Sequence, residues 1–155
     1  MKKDKRNAGI RPAEARLRSA AGARMELVRC EKLLFLLKRE RETLSQPCLD
    51  EHGLRPDRDT LSRLLGEQER ELTQRIADSV DRIRGAMELI DLLRDERQRT
   101  VLFLRYVDCL AWNDIQQSLE KEYGVVYDIR QVYRFHAAAL RELGKRAEQQ
   151  DAEAG

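Results

Sequence analysis

The sequence predicts an all-α chain: an N-terminal long helical hairpin, coiled-coil-like, followed by a C-terminal three-helix helix-turn-helix domain. Three observations lead there. Of 155 residues, 37% are charged and 5% aromatic, with 3 Pro and 8 Gly. That composition suits long, solvent-laced helices and lacks the β-branched, aromatic and turn residues that a β-sandwich or barrel needs. Apolar residues recur at helical steps up to about residue 93, and from residue 95 the rhythm shortens into brief helices.

Residues 1–12 are basic, lack apolar periodicity and are read as a disordered arm. Pro12 can open a helix, because its missing N–H costs nothing in the first turn. From Ala13 to about Leu44, the positions Ala20, Ala23, Leu27, Cys30, Leu34, Leu37 and Leu44 step by alternating threes and fours, with Arg41 in one slot. That is the seam of a coiled-coil-like helix, with Leu33 and Phe35 expected to widen it. Pro47, Gly53 and Pro56 break the pattern over residues 45–60, and Asp57 or Asp59 can cap the next helix. This second helix is expected from about Thr60 to Leu93, with Leu61, Leu65, Leu72, Ile76, Val80, Ile83, Met87 and Ile90 as its stripe. Residues 13–93 therefore form the hairpin. Two helices bury little surface, and pairing as a homodimer in a four-helix bundle would use both stripes better.

Residues 94–147 form the second predicted domain. Its first helix runs from Asp95 to Val107, with Val101, Leu102 and Leu104 or Arg105 facing inward. Its second starts at Trp112 and buries Trp112, Ile115 and Leu119. Gly124 supplies a C-terminal stop and Asp128 an N-cap. A third helix, Ile129 to about Arg146, buries Val132, Phe135 or His136, Ala139 and Leu143. Residues 148–155 read as a frayed, disordered tail.

Charge narrows the function classes. Lys+Arg is 30 and Asp+Glu 28, a net of +2. Residues 1–56 carry a net of +6, while 57–94 and 95–155 each carry −2. Attraction of the whole chain to nucleic acid is therefore weak, and binding must come from a local patch. The third C-terminal helix supplies one, with Arg130, Arg134, Arg141, Lys145 and Arg146 against Asp128 and Glu142. Gln131 and Tyr133 lie on its outward side. Arg and Gln pair with guanine and adenine edges in the major groove.

Nothing in the sequence suggests catalysis. There is no Gly-rich phosphate loop, no Ser/His/Asp order and no Cys-x-x-Cys, and the 2 histidines lie in unrelated segments. Cys48 and His52 have ligand-like spacing, but no second pair completes a zinc site. No metal, cofactor or enzymatic activity is expected. No apolar run reaches the roughly 18 residues of a membrane span, and no apolar core follows the basic start, so neither membrane nor secretion is expected. The three cysteines are read as reduced thiols and the location as cytoplasmic.

The stretches Arg99–Val107 (RTVLFLRYV), Leu110–Ile115 (LAWNDI) and Arg130–Leu143 (RQVYRFHAAALREL) resemble region 4 of the sigma-70 family. They are closer to the small sigma-region-4-like proteins encoded by phages of Gram-positive bacteria, of the ArpU and RinA late-regulator type. The resemblance implies DNA-binding transcription control, with Arg130, Gln131 and Arg134 at bases or phosphates and Tyr133 at a phosphate or thymine methyl. It places Arg105 and Tyr106 in structural roles, Arg105 paired to an acid such as Asp114, with Trp112 in the core and His136 in the core or at its rim. Arg141 and Lys145 extend the basic face. Double-stranded DNA is the expected partner, with RNA polymerase as a second. Cys109, Ala111 and Gln116 depart from the pattern, standing where Gly, a capping Ser or Thr, and Ala are usual. Two rival readings are a phage terminase small subunit, which usually carries its DNA-binding domain first, and a helical protein that binds RNA polymerase without DNA.

Overall fold

A computed structural model describes residues 10–45, 49–50, 53–54 and 58–154. Five helices account for nearly all of them: α1 (Ile10–Ser45), α2 (Arg58–Asp91), α3 (Glu96–Leu102), α4 (Trp112–Tyr123) and α5 (Ile129–Ala154). Between α1 and α2 the strands β1 (Leu49–Asp50) and β2 (Gly53–Leu54) pair antiparallel, Leu49 opposite Leu54. The basic arm, Cys48, His52 and Asp57 fall largely or wholly outside the described residues. The chain divides into two compact units: residues 25–80, and the described residues up to Arg24 together with those from Asp81 onward.

The unit of residues 25–80 is a pair of antiparallel helix segments. Arg41 pairs with Glu69 at 2.9 Å and Arg75 with Glu26 at 2.9 Å. The main line of the predicted α1 seam holds, with Cys30 buried and Leu27, Leu34, Leu37 and Leu44 half-buried, but Leu33 and Phe35, expected to widen it, are 49% and 63% exposed because they turn away from α2. Arg41, the polar slot in that seam, is matched by the half-buried Glu69 on α2.

The α2 stripe differs from expectation. Val80 and Met87 are 38% and 41% exposed, whereas Ser79 and Ala86 are buried. The main inward line is Leu65, Glu69, Leu72, Ile76, Ser79, Ile83, Ala86 and Ile90, continued by Leu93 just past the helix, with buried Leu89 beside Ile90. Its positions alternate steps of four and three without a break, which is a strict heptad seam. Ser79 and Ala86 hold seam positions because small side chains let paired helices approach. Hydrophobicity alone favours their larger neighbours.

The second unit has two cores, and successive residues of α3 feed them. Leu102 joins Ala13, Leu17 and Ala20 of α1, Ala86, Leu89 and Ile90 of α2, and Ala139, Leu140 and Leu143 of α5. Val101 joins Ile115 and Leu119 of α4, Tyr127 of the following turn, and Val132 of α5. Packing thus continues across residue 93, where long helices give way to short ones. The α1 and α2 segments of this unit are clamped by Arg82, which donates to Ser19 Oγ and to the Ser19 carbonyl at 2.9 and 2.8 Å.

α3 does not end as an α-helix. Phe103–Val107 is a π turn, with Asp108 N–H donating to the Phe103 carbonyl. One extra residue in that turn advances the inward face by one position. Tyr106 and Val107 therefore enter the core, and the half-buried Leu104 and Arg105 do not lead it. Cys109 follows with φ +56°, a left-handed conformation that costs a side-chain-bearing residue roughly 1–2 kcal/mol. Ala111 occupies the N-cap of α4 with no side-chain bond to the first turn, and Gly124 closes α4 at φ +67°. Residues 148–154, a frayed tail by sequence, continue α5. No Gly or Pro interrupts Ala147–Ala154, and its residues are mostly good helix formers.

Replacing Cys109 with Gly should remove the left-handed penalty while adding freedom to the unfolded chain. The expected net gain is about 0.5–1 kcal/mol in urea unfolding. Cys109→Val, β-branched at the same φ, should lose stability. A gain with Val, or a loss with Gly, would show that the side chain and not the backbone governs the turn.

Candidate nucleic-acid interface

α5 is built around one inward line. Val132, Ala139 and Leu143 have no exposed surface, and Leu140 and Gly144 are also buried. At 3.6 residues per turn the opposite line is Arg130, Arg134, Ala137, Arg141 and Lys145, all exposed. Those four cations span about 22 Å of helix axis. None has a carboxylate within ion-pairing distance among the described residues, whereas Arg146, at the edge of the stripe, lies 3.4 Å from Glu142. Local geometry thus gathers the four predicted cations on one face.

The N-terminus of α5 is fixed by a reciprocal cap. Asp128 Oδ1 accepts from Arg130 N–H and Gln131 N–H at 2.7 and 3.1 Å, and Gln131 Oε1 accepts from Asp128 N–H at 3.0 Å. This capping box satisfies donors that a helix start leaves unpaired. It also occupies the amide oxygen of Gln131, so that residue keeps its NH2 as the free end. The Asp128 cap agrees with the sequence expectation. The Gln131 half goes beyond it, though Asp-x-x-Gln before a helix is its sequence signature.

Aromatic contacts anchor the same end. Tyr133, 45% exposed, stands edge-on to Trp112 with ring centroids 5.0 Å apart, and His136 approaches Trp112 at 5.0 Å. His136 Nε2 and the Tyr106 hydroxyl share a hydrogen bond at 2.8 Å. Half-buried His136 matches its expected core or rim position, whereas Trp112, expected in the core, is half-buried against its edge. Arg105 does not meet Asp114. Its guanidinium lies 4.5 Å over the Trp112 ring and donates to the Leu110 carbonyl at 3.0 Å. The π turn sets its direction, and Trp112 offers a cation–π face close by. Gln116, where the family pattern has Ala, donates to the Tyr127 carbonyl at 2.7 Å and ties α4 to the turn before α5.

Burial pushes the His136 imidazole below its ordinary value of 6.5, with nearby Glu14 opposing, and pushes the Tyr106 hydroxyl up. Tyr127 is buried with its ring edge-on to Phe135, and its hydroxyl meets no protein partner. Arg97 lies 5.5 Å over the Tyr127 ring. Among the described residues no group of His, Cys, Asp and Glu is arranged to hold a metal, and no helix is long and apolar enough to cross a membrane.

Two outcomes test this anchoring. Unfolded His136 binds a proton more readily than folded His136, so its contribution is complete above about pH 6.5 and declines as pH falls toward the lower folded value. Urea midpoints at pH 7.5 and 5.5 should fall further for the native chain than for His136→Gln; equal falls would remove His136 as the cause. Tyr127→Phe should keep stability or raise it by up to about 1 kcal/mol, since it removes a buried hydroxyl without a partner. A loss would mean that the hydroxyl is satisfied in solution. Compared with models of known protein families, with curated proteins and with solved structures, the chain matches none.

Proposed function

We propose that the chain is a DNA-binding transcription regulator, encoded by a phage, in which α4, the turn after it and α5 act as a helix-turn-helix. The observation that carries this reading is the unpaired cationic stripe of α5, set directly opposite the helix's buried line. An α-helix fits the major groove, and a stripe about 22 Å long reaches phosphates beyond the bases it covers.

The roles divide along the helix. Arg130 and Arg134, in the first two turns, are the base-reading residues, because their guanidinium forks are unpaired and match guanine edges. Gln131 contributes N–H donors from its NH2, while its oxygen is held at the helix start by the capping box. The bidentate adenine contact open to a free Gln needs that oxygen too. Tyr133, braced by Trp112, meets a phosphate or a thymine methyl. Arg141 and Lys145 contact phosphates, which position the helix without reading sequence. RNA polymerase is the second partner under this reading, and the work is transcription control rather than catalysis.

Fluorescence anisotropy with duplexes from the chain's own genomic neighbourhood, against a random duplex and across a salt series, tests the proposal. One local fragment should bind more tightly, with a salt slope reflecting several phosphate contacts. Arg134→Ala should weaken that specific binding by about 1–3 kcal/mol. Lys145→Ala should weaken both duplexes alike and lower the salt slope by about 1. Equal, feeble binding of both duplexes would overturn the proposal and favour a helical protein that meets polymerase alone. Large ring assemblies on DNA would favour the packaging role instead.

A further inference from the structure

α1 carries apolar side chains on two opposite sides between residues 25 and 37. Leu27, Cys30, Leu34 and Leu37 form the seam against α2. Turned half a revolution away, Met25, Val28, Phe35 and Leu36 are 59%, 39%, 63% and 54% exposed. Val28, Phe35 and Leu36, with Glu31 and Lys32, line a shallow groove of about 480 Å³. The unit of residues 25–80 needs more burial than it has, because Cys30, Leu72 and Ser79 are its only fully buried residues among those described. Isolated antiparallel helix pairs are marginal for that reason.

We propose that this outer face of α1 binds the same face of a second copy, antiparallel, about a two-fold axis crossing α1 between Glu31 and Lys32. The charges make the case for that occupant. Read in either direction, the centre of the face runs apolar, charged, charged, apolar at spacings of three, one and three: Val28, Glu31, Lys32, Phe35; Arg24 and Arg39, one turn further out, meet like charge in either orientation and leave the choice of direction to that centre. Reversal exchanges the signs of the two charges. An antiparallel copy therefore sets Val28 against the second copy's Phe35 and Glu31 against its Lys32, each contact made twice by symmetry. A parallel copy would place Glu31 on Glu31 and Lys32 on Lys32. Apolar burial supplies the affinity, while the exposed ion pairs, individually weak, choose the direction. The inference stands apart from the DNA-binding proposal, and neither outcome decides the other.

Sedimentation velocity of the full chain from low to high micromolar concentration reads the result, with circular dichroism confirming unchanged helix content. The native chain should be a dimer. Phe35→Ala should weaken it at least about tenfold. Glu31→Lys or Lys32→Glu alone should weaken it roughly three- to tenfold, since each creates two like-charged contacts. The double exchange Glu31→Lys with Lys32→Glu should restore the dimer to within about twofold, because reversal still pairs opposite signs. A native chain that stays monomeric throughout would overturn the proposal. A double exchange no better than its parents would also overturn it, and would point to a partner of different sequence on this face. Should Phe35→Ala lose helix content, the three charge variants decide the matter, since they leave the apolar residues in place.

Discussion

Val132, Ala139 and Leu143 of α5 are shut away from solvent in two different cores. That single line of burial governs how the C-terminal half can present itself. Once it is fixed, helical geometry leaves one free face, and that face carries Arg130, Arg134, Arg141 and Lys145. The π turn of Phe103–Val107 supports the same line, because it brings Tyr106 and Val107 into the core that receives Ala139, Leu140 and Leu143. Without the extra residue in that turn, Tyr106 would miss His136, and the N-terminal half of α5 would lose a polar tie to α3. Charge on α5 is therefore not free to rotate with respect to its neighbours. A basic patch on a helix is ordinary, but one whose orientation is set by three fully buried side chains is a rigid surface.

Much of this is legible in the residues themselves. The seam of α1, the shared face of Trp112, Ile115 and Leu119 with Ile115 and Leu119 buried, the Gly124 stop and the Asp128 cap all come from spacing and capping chemistry. The basic line of α5 is legible for the same reason, since it is the complement of the apolar one. The misses have physical causes too. Ser79 and Ala86 hold seam positions on α2 because helix contact rewards small side chains, a preference that hydrophobicity does not register. The π turn leaves no local mark, as Phe-Leu-Arg-Tyr-Val is equally good α-helix, and only packing selects the wider turn. Charge alone sends Arg105 to a carboxylate, yet the ring of Trp112 and the Leu110 carbonyl are closer once the turn has redirected it. Side-chain chemistry alone does not reveal that Gln131 also closes the cap of its own helix start.

Under the proposed DNA-binding reading, the capping box bears on recognition as well as stability. Every helix that enters a groove by its N-terminal turns must satisfy its first amide donors with something other than helix carbonyls. Asp128 and Gln131 do so here, at the end where base contacts would be made. Exposed acids lie on α4, at Asp114, Glu120 and Glu122, and at the far end of α5, at Glu148 and Glu153. Placing the cations of α5 ahead of its last acids lets a domain that is acidic overall present a basic stretch of helix.

The unit of residues 25–80 poses the opposite problem, a surplus of apolar surface on a pair of helices too thin to cover it. Burial near 25 cal/mol per Å² makes an outward Phe35 at 63% exposure a standing cost in any solvated monomer. A seam on one side of α1 and a second apolar line on the other cannot both be satisfied by α2. Charges placed at random around such a line would give no preferred approach. Glu31 and Lys32 stand at its centre with opposite signs and adjacent positions, the arrangement that a two-fold antiparallel contact turns into two matched pairs. Apolar excess and centred opposite charges arise on the same five residues of one helix face, which makes a second copy of the chain the partner that both features fit.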